Sequence, residues 1–116
     1  MKELIYSPDY QEKIIKLRND LDQKYGQSTR KKVLAEIDHR IQLLKTQNYL
    51  GISLREMHGI DCDFYYIHVA NNVVFYEVEG KHIRILNMYH EREDYIIKFL
   101  GSKAKLNENA SEYVID

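Results

Sequence analysis

The sequence predicts an α+β fold: an N-terminal strand and a helical hairpin packed on a twisted antiparallel sheet, with a short C-terminal helix. Two observations carry this. Apolar residues recur every three or four positions between Tyr10 and Leu44, with one break at Gly26. From Phe64 onward the period becomes two, and turn-forming pairs at Asn71-Asn72 and Gly80-Lys81 divide the alternating stretch. The length of 116 residues suits one compact unit with a single core.

Glu3 to Tyr6 is short, apolar in its centre, and reads as a strand. Ser7-Pro8-Asp9 then starts a helix, with a hydroxyl at the cap, proline at the first helical position and an acid at the positive dipole end. Tyr10, Ile14, Leu17, Leu21 and Tyr25 form one stripe of that helix, and Gly26 closes it. Ser28 or Thr29 can cap a second helix, striped by Val33, Leu34, Ile37, Ile41 and Leu44. So short a linker folds the two helices into an antiparallel pair.

After Asn48 the helical period stops. Ile52 and Leu54 suggest a strand running into a loop near His58-Gly59-Ile60-Asp61. Next come three strands, with Asn71-Asn72 and Gly80-Lys81 as two-residue turns. The second turn sets Glu79 against His82, Val78 against Ile83, Glu77 against Arg84 and Phe75 against Leu86. The first sets His68 against Phe75 and Tyr66 against Glu77. One sheet face is almost wholly apolar and calls for the helices. The other mixes Phe64, Tyr66, His68, Phe75, Glu77, Arg84, Leu86 and Met88, a face that calls for a partner, a ligand or the polar tail against it. Glu91 to Leu100 reads as a short helix ending at Gly101, and residues 102–116 as a polar tail.

Charge is nearly balanced, with 17 basic and 18 acidic side chains, so no overall cationic field attracts a polyanion. Residues 9–47 carry nine Lys/Arg and six Asp/Glu, whereas residues 48–101 carry five and eight. An acidic second half argues against unaided nucleic-acid binding there, although it leaves room for a local basic pocket. No apolar run approaches the roughly 20 residues of a membrane span, and MKELIYSP has no secretory core. Cys62 stands alone, which fits a reducing, cytoplasmic setting. No spacing of His, Cys or acids matches a recurrent metal site, so neither metal nor cofactor is expected.

Leu54-Arg55-Glu56, Val74-Phe75-Tyr76-Glu77-Val78 and His90-Glu91-Arg92-Glu93-Asp94-Tyr95, in that order on these elements, resemble the RelE/ParE superfamily of toxins from type II toxin–antitoxin systems. The resemblance covers residues 3–100. It implies a toxin domain over 1–101 followed by the tail, growth inhibition, and a cognate antitoxin as partner. RelE-type members cut mRNA on the ribosome with Lys, Arg, Tyr or His side chains. ParE-type members stall DNA gyrase.

On a ribonuclease reading, His90, Arg92 and Tyr95 would be catalytic, with Tyr95 as proton donor. This chain departs from that pattern at Val73, where many RelE-type members carry arginine, and at Glu91, where an acid replaces a second arginine. Losing one cationic transition-state contact costs about 3 kcal/mol, roughly a hundredfold in rate. The ParE-like branch therefore fits better, with gyrase the preferred target over ribosome-bound mRNA. A non-toxic binding module on the same scaffold is the third reading. Arg55, Phe64, Phe75, Glu77, Arg84, Leu86 and Met88 are the expected contacts for antitoxin or target, with the antitoxin laying a helix or strand along the mixed sheet face or the groove beside the helical hairpin. Plainer roles compete with each of these. Arg92 can pair with Glu77 or Asp94, Tyr95 can be core, and Glu77 with Arg84 can be a simple cross-strand ion pair.

Overall fold

A computed structural model describes residues 1–103. The elements run β1 (Glu3–Tyr6), α1 (Pro8–Tyr25), α2 (Gln27–Leu43), β2 (Ile52–Ser53), α3 (Leu54–His58), β3 (Phe64–Val69), β4 (Asn72–Glu79) and β5 (His82–His90). A last helix, α4, covers residues 95–103. The α+β architecture is as expected from the sequence. Its sheet is ordered β1-β5-β4-β3-β2, with β1 parallel to β5 and the other pairs antiparallel.

Local chemistry sets most boundaries. The Ser7 hydroxyl accepts from the Tyr10 N–H at 3.1 Å, and Pro8 opens α1. The same hydroxyl donates to the Leu86 carbonyl at 2.5 Å, pinning the helix start to the middle of β5. Gly26, at φ 90°, is the whole linker: α2 begins at Gln27 with no side-chain cap, so Ser28 and Thr29 lie inside the helix. Leu54-Arg55-Glu56, expected on a strand, forms α3 instead. Ser53 caps it by accepting from the Glu56 N–H at 3.2 Å, and Gly59 ends it in the left-handed region.

The sheet has helices on both faces. Under the α1–α2 hairpin lie Tyr10, Ile37, Ile41 and Leu44 against Ile67, Val74, Tyr76, Ile83 and Ile85. This is the apolar face expected from the alternation. The opposite face buries Tyr66, Val73, Phe75, Leu86 and Tyr89 beneath Leu54 of α3 and Phe99 of α4. The apolar part of the mixed face is therefore covered by the chain's own α3 and α4, which corrects the expectation of a bare face at Phe75 and Leu86, while His68 and Arg84 stay exposed. The α4 helix also starts later than expected, because residues 91–94 turn first, and it runs through Gly101.

Register explains further differences. The β4–β5 pairs Val78–Ile83, Glu77–Arg84 and Glu79–His82 form as the Gly80-Lys81 turn requires. Beyond them a bulge between Phe75 and Tyr76 sets Phe75 against Asn87 and Tyr76 against Ile85. The extra residue reverses the alternation, and Met88 joins the hairpin-side core. The other turn is Ala70-Asn71, at φ 50° and 64°, one residue earlier than read. It pairs His68 with Val73 and Tyr66 with Phe75. This slip of two in register keeps every side chain on its own face, so hydrophobic alternation could not reveal it.

Candidate functional site

The helix α1 leaves the sheet behind, and this creates the site. It starts against Leu86, and β5 ends only four residues later at His90, roughly 13 Å on at the usual strand rise. The 18 residues of α1 extend roughly 27 Å. Its last turns therefore overhang the end of the sheet. Tyr10 at the start of the stripe is 5% exposed, while Tyr25 at its end is 67% exposed. Leu17 and Leu21 are half-buried.

Under the overhang lies a groove of about 400 Å³, lined mainly by Leu17, Leu21, Tyr25, Val33, Asn71 and His90. Asp20 and Lys24 flank it. Arg30 of α2 reaches back to Asp22 at 3.5 Å, joining the two helices near their connection. The groove combines apolar Leu17, Leu21 and Val33 with polar Asp20, Lys24, Asn71 and His90 and the exposed ring of Tyr25, a mixture common at partner-binding surfaces.

The segment after β5 borders this groove and is tightly tied. The Glu91 N–H donates to the Asn71 carbonyl at 3.0 Å, joining the strand end to the β3–β4 turn. The His90 N–H donates to Glu93 Oε2 at 2.7 Å, and the Arg92 N–H donates to His90 Nδ1 at 3.1 Å. Lys98 Nζ donates to Glu93 Oε1 at 2.9 Å. Burial pushes the Glu93 carboxyl up, but the bonds from Lys98 and the His90 backbone outweigh it, and the net shift is downward. His90 and Arg92 are both exposed. Among the described residues Arg92 makes no ion pair. Glu77 is taken instead by Arg84, at 3.4 Å, as the plainer reading expected.

Tyr95 lies on the other face. Half-buried, it packs against Tyr66, His68 and Phe75 with centroids 5.8, 6.0 and 6.3 Å away. The Tyr66 hydroxyl is 2.8 Å from His58 Nε2. Among the described residues no hydrogen bond links Tyr95 to His90 or Arg92, so the three candidate nuclease residues divide into an exposed pair and a packed ring.

The remaining expected contacts also divide. Arg55 is exposed and holds Asp61 and Asp63 at 2.6 and 3.1 Å. Phe75, Leu86 and Met88 are 0%, 5% and 3% exposed, and Phe64 is half-buried. The expectation that these four form an exposed greasy surface is corrected. Phe75 lies flat against Phe99 at 4.1 Å, Leu86 is buried in the same cluster, and the bulge turns Met88 to the hairpin side. Among the described residues no cluster of three His, Cys, Asp or Glu could hold a metal, and no helix is long and apolar enough to cross a membrane.

Sequence reasoning missed Lys13. Its ammonium donates to the Met88 carbonyl at 3.0 Å and sits 3.9 Å above the Tyr89 ring, closing the β5 edge beyond the end of β1. Burial pushes this lysine down. No periodic signal marks it, because it stands beside the apolar stripe rather than in it.

A family profile described as the ParE toxin of the type II toxin–antitoxin system, parDE, matches residues 4–95. A solved structure described as the chromosomal ParDE TA system from P. aeruginosa superposes with a TM-score of 0.65 at 14% identity, covering 78% of this chain and 96% of that one. Comparison with curated protein sequences gives no match.

Proposed function

Because the chain belongs to the ParE toxin family of type II toxin–antitoxin systems, we propose that the free protein arrests bacterial growth by acting on DNA gyrase in the cytoplasm. A cognate antitoxin neutralises it by seating an amphipathic segment in the groove under the α1 overhang.

The observation that carries this reading is the groove itself. Tyr25, at 67% exposure, stands over half-buried Leu17 and Leu21 at helical spacing. A partner helix would supply apolar anchors there at positions three and four apart. Asp20 and Lys24 on the rim would set its orientation. The segment His90–Glu93, hydrogen-bonded within itself and to the β3–β4 turn, is the second proposed contact, with His90 and Arg92 offering their side chains outward. Arg55, Glu77 and Arg84 already have charged partners on the chain, which weakens their claim to a partner's charges.

The test is co-expression with the cognate antitoxin. Leu21→Asp combined with Tyr25→Ala is expected to keep the melting temperature, since both positions lie at the unsupported end of the stripe, and to abolish co-purification. Unchanged co-purification would sink the groove assignment. For the target, the purified protein is expected to inhibit supercoiling by gyrase and to leave translated mRNA intact. Translation-dependent mRNA cleavage with normal supercoiling would replace this reading with the ribosome-dependent endonuclease. Normal growth on expression without antitoxin would replace it with a non-toxic binding module.

A further inference from the structure

The pole where β1 begins, α2 ends and the β4–β5 hairpin turns has no part in the groove. There a cavity of about 650 Å³ is lined by Lys2, Glu3, Lys45, Asn48, Lys81 and His82, with Met1 and Thr46 at its rim. Three lysines from distant parts of the sequence meet in it. We propose that Lys2, Lys45 and Lys81 form a binding site for a phosphate group.

Backbone geometry fixes the convergence. The Lys2 N–H donates to the Lys45 carbonyl at 3.0 Å, and the Glu3 N–H donates to the Lys81 carbonyl at 2.9 Å. Lys2 is thus one hydrogen bond from Lys45 and one residue plus a hydrogen bond from Lys81. The parallel pairing of Glu3 with His82 extends the same lock into the sheet. Lys2 Nζ also donates to the Gly80 carbonyl, which leaves two of its three protons for a ligand. The lysine backbones are therefore held together before any ligand arrives, and only side-chain ends must be ordered on binding.

The charge around the cavity is equally specific. Its one carboxylate, Glu3, lies 3.6 Å from His82 Nε2. Among the described residues no carboxylate lies within ion-pair distance of Lys45 or Lys81, although acids outnumber bases in the chain as a whole. Charge usually intersperses on a surface of this composition. Three lysines lining one open cavity suit a compact polyanion with several acceptor oxygens, while the Asn48 amide and the Thr46 hydroxyl beside them donate to the Leu44, Lys45 and Leu43 carbonyls. Lysine meets such a ligand as a point charge that needs no planar fork. The phosphate can belong to a DNA backbone or to a free polyphosphate.

The experiment titrates the purified full-length chain with inorganic triphosphate and, separately, with a short duplex DNA, over a range of salt. The wild type is expected to bind at least one of these probes with an affinity that falls as salt rises. Lys45→Glu with Lys81→Glu is expected to weaken binding at least about tenfold and, for duplex DNA, to lower the salt slope by about two. Lys81→Ala, at an exposed turn position, is the milder variant should the double change disturb folding. Binding of triphosphate alone identifies a free phosphoanion as the ligand, and binding of the duplex identifies DNA. The proposal is overturned if neither probe binds, or if charge reversal leaves affinity and salt slope unchanged.

Discussion

Replacing Phe99 by alanine measures how firmly the chain closes its own sheet face. The ring is 1% exposed and stacks on Phe75 with centroids 4.1 Å apart and planes 9° from parallel. Phe64 meets it edge-on at 5.1 Å. Truncating a fully buried phenylalanine costs about 3–5 kcal/mol where the surroundings hold still. Here the cost is capped. The α4 helix joins the sheet only through residues 91–94, so once the loss exceeds its docking free energy the helix leaves and the two larger layers stay folded. A cost near the low end, about 3 kcal/mol, follows, and with it a fall in melting temperature on the order of 12 °C for a domain of this size. Urea unfolding gives the free energy, and a dye that binds apolar surface reports the bared face of Tyr66, Phe75 and Leu86. Amide exchange over residues 95–103 is expected to become fast while β4 and β5 stay protected. A variant with wild-type midpoint, no added dye binding and slow exchange in α4 would refute the account of the closed face.

Two further outcomes follow from other close contacts. At Gly51 an added Cβ would meet the Tyr66 carbonyl at 2.7 Å and the buried Tyr76 ring at 2.8 Å. The same ring's hydroxyl accepts from the Gly51 N–H at 2.9 Å. Gly51→Ala is expected to destabilise by about 1–3 kcal/mol through overpacking, whereas Gly101→Ala, with nothing within 4 Å, is expected to be neutral or stabilising by up to about 1 kcal/mol. Equal urea midpoints for the two would contradict this. Glu93 supplies a pH dependence. Its folded carboxyl lies below the ordinary value of 4.5, so its contribution is present above that pH and is lost as pH falls through the depressed value. Glu93→Gln is therefore expected to be less stable than wild type near pH 6, with the gap closing at lower pH, as read by unfolding at each pH. A gap that stays constant with pH would show that the carboxylate is not the source.

Where the sequence was legible, one local rule sufficed. Ser7-Pro8-Asp9 starts a helix because each residue meets a different need of a helix N-terminus. Gly80-Lys81 turns a hairpin because Gly80 accepts φ 59°, and Glu77 then meets Arg84. Where reading failed, two local rules competed or a distant element decided. Ser53 and Glu56 already form a helix-capping pair, yet the apolar Ile52 and Leu54 spaced by two read more strongly as a strand. The bulge at Phe75–Tyr76 leaves no mark on the alternation before it, so alternation alone places Met88 on the wrong face. For the site, the exposed end of β5 at His90 and Arg92 is legible because it closes a recognisable motif. Burial of Phe75 and Leu86 is not, since their cover arrives from Phe99, more than ten residues beyond either.

The stripe on α1 is legible in the sequence and still tells only half of what matters for function. Helical periodicity says which side of a helix is apolar, not how much of its length has anything to lie against. On the sheet the chain supplies its own cover twice, α1 and α2 on one face and α3 and α4 on the other. Past the end of β5 that cover runs out: Leu17 still packs against the core, Leu21 is only half-buried, and Tyr25, closing a stripe whose first member Tyr10 is buried, is exposed. Exposed apolar surface that continues a core pattern costs free energy in the isolated chain and is recovered only when something else covers it. The closed sheet face gives a partner little to gain without first displacing α4. The overhang asks for no such displacement, and this difference is what favours the helical hairpin over the strands as the proposed antitoxin contact.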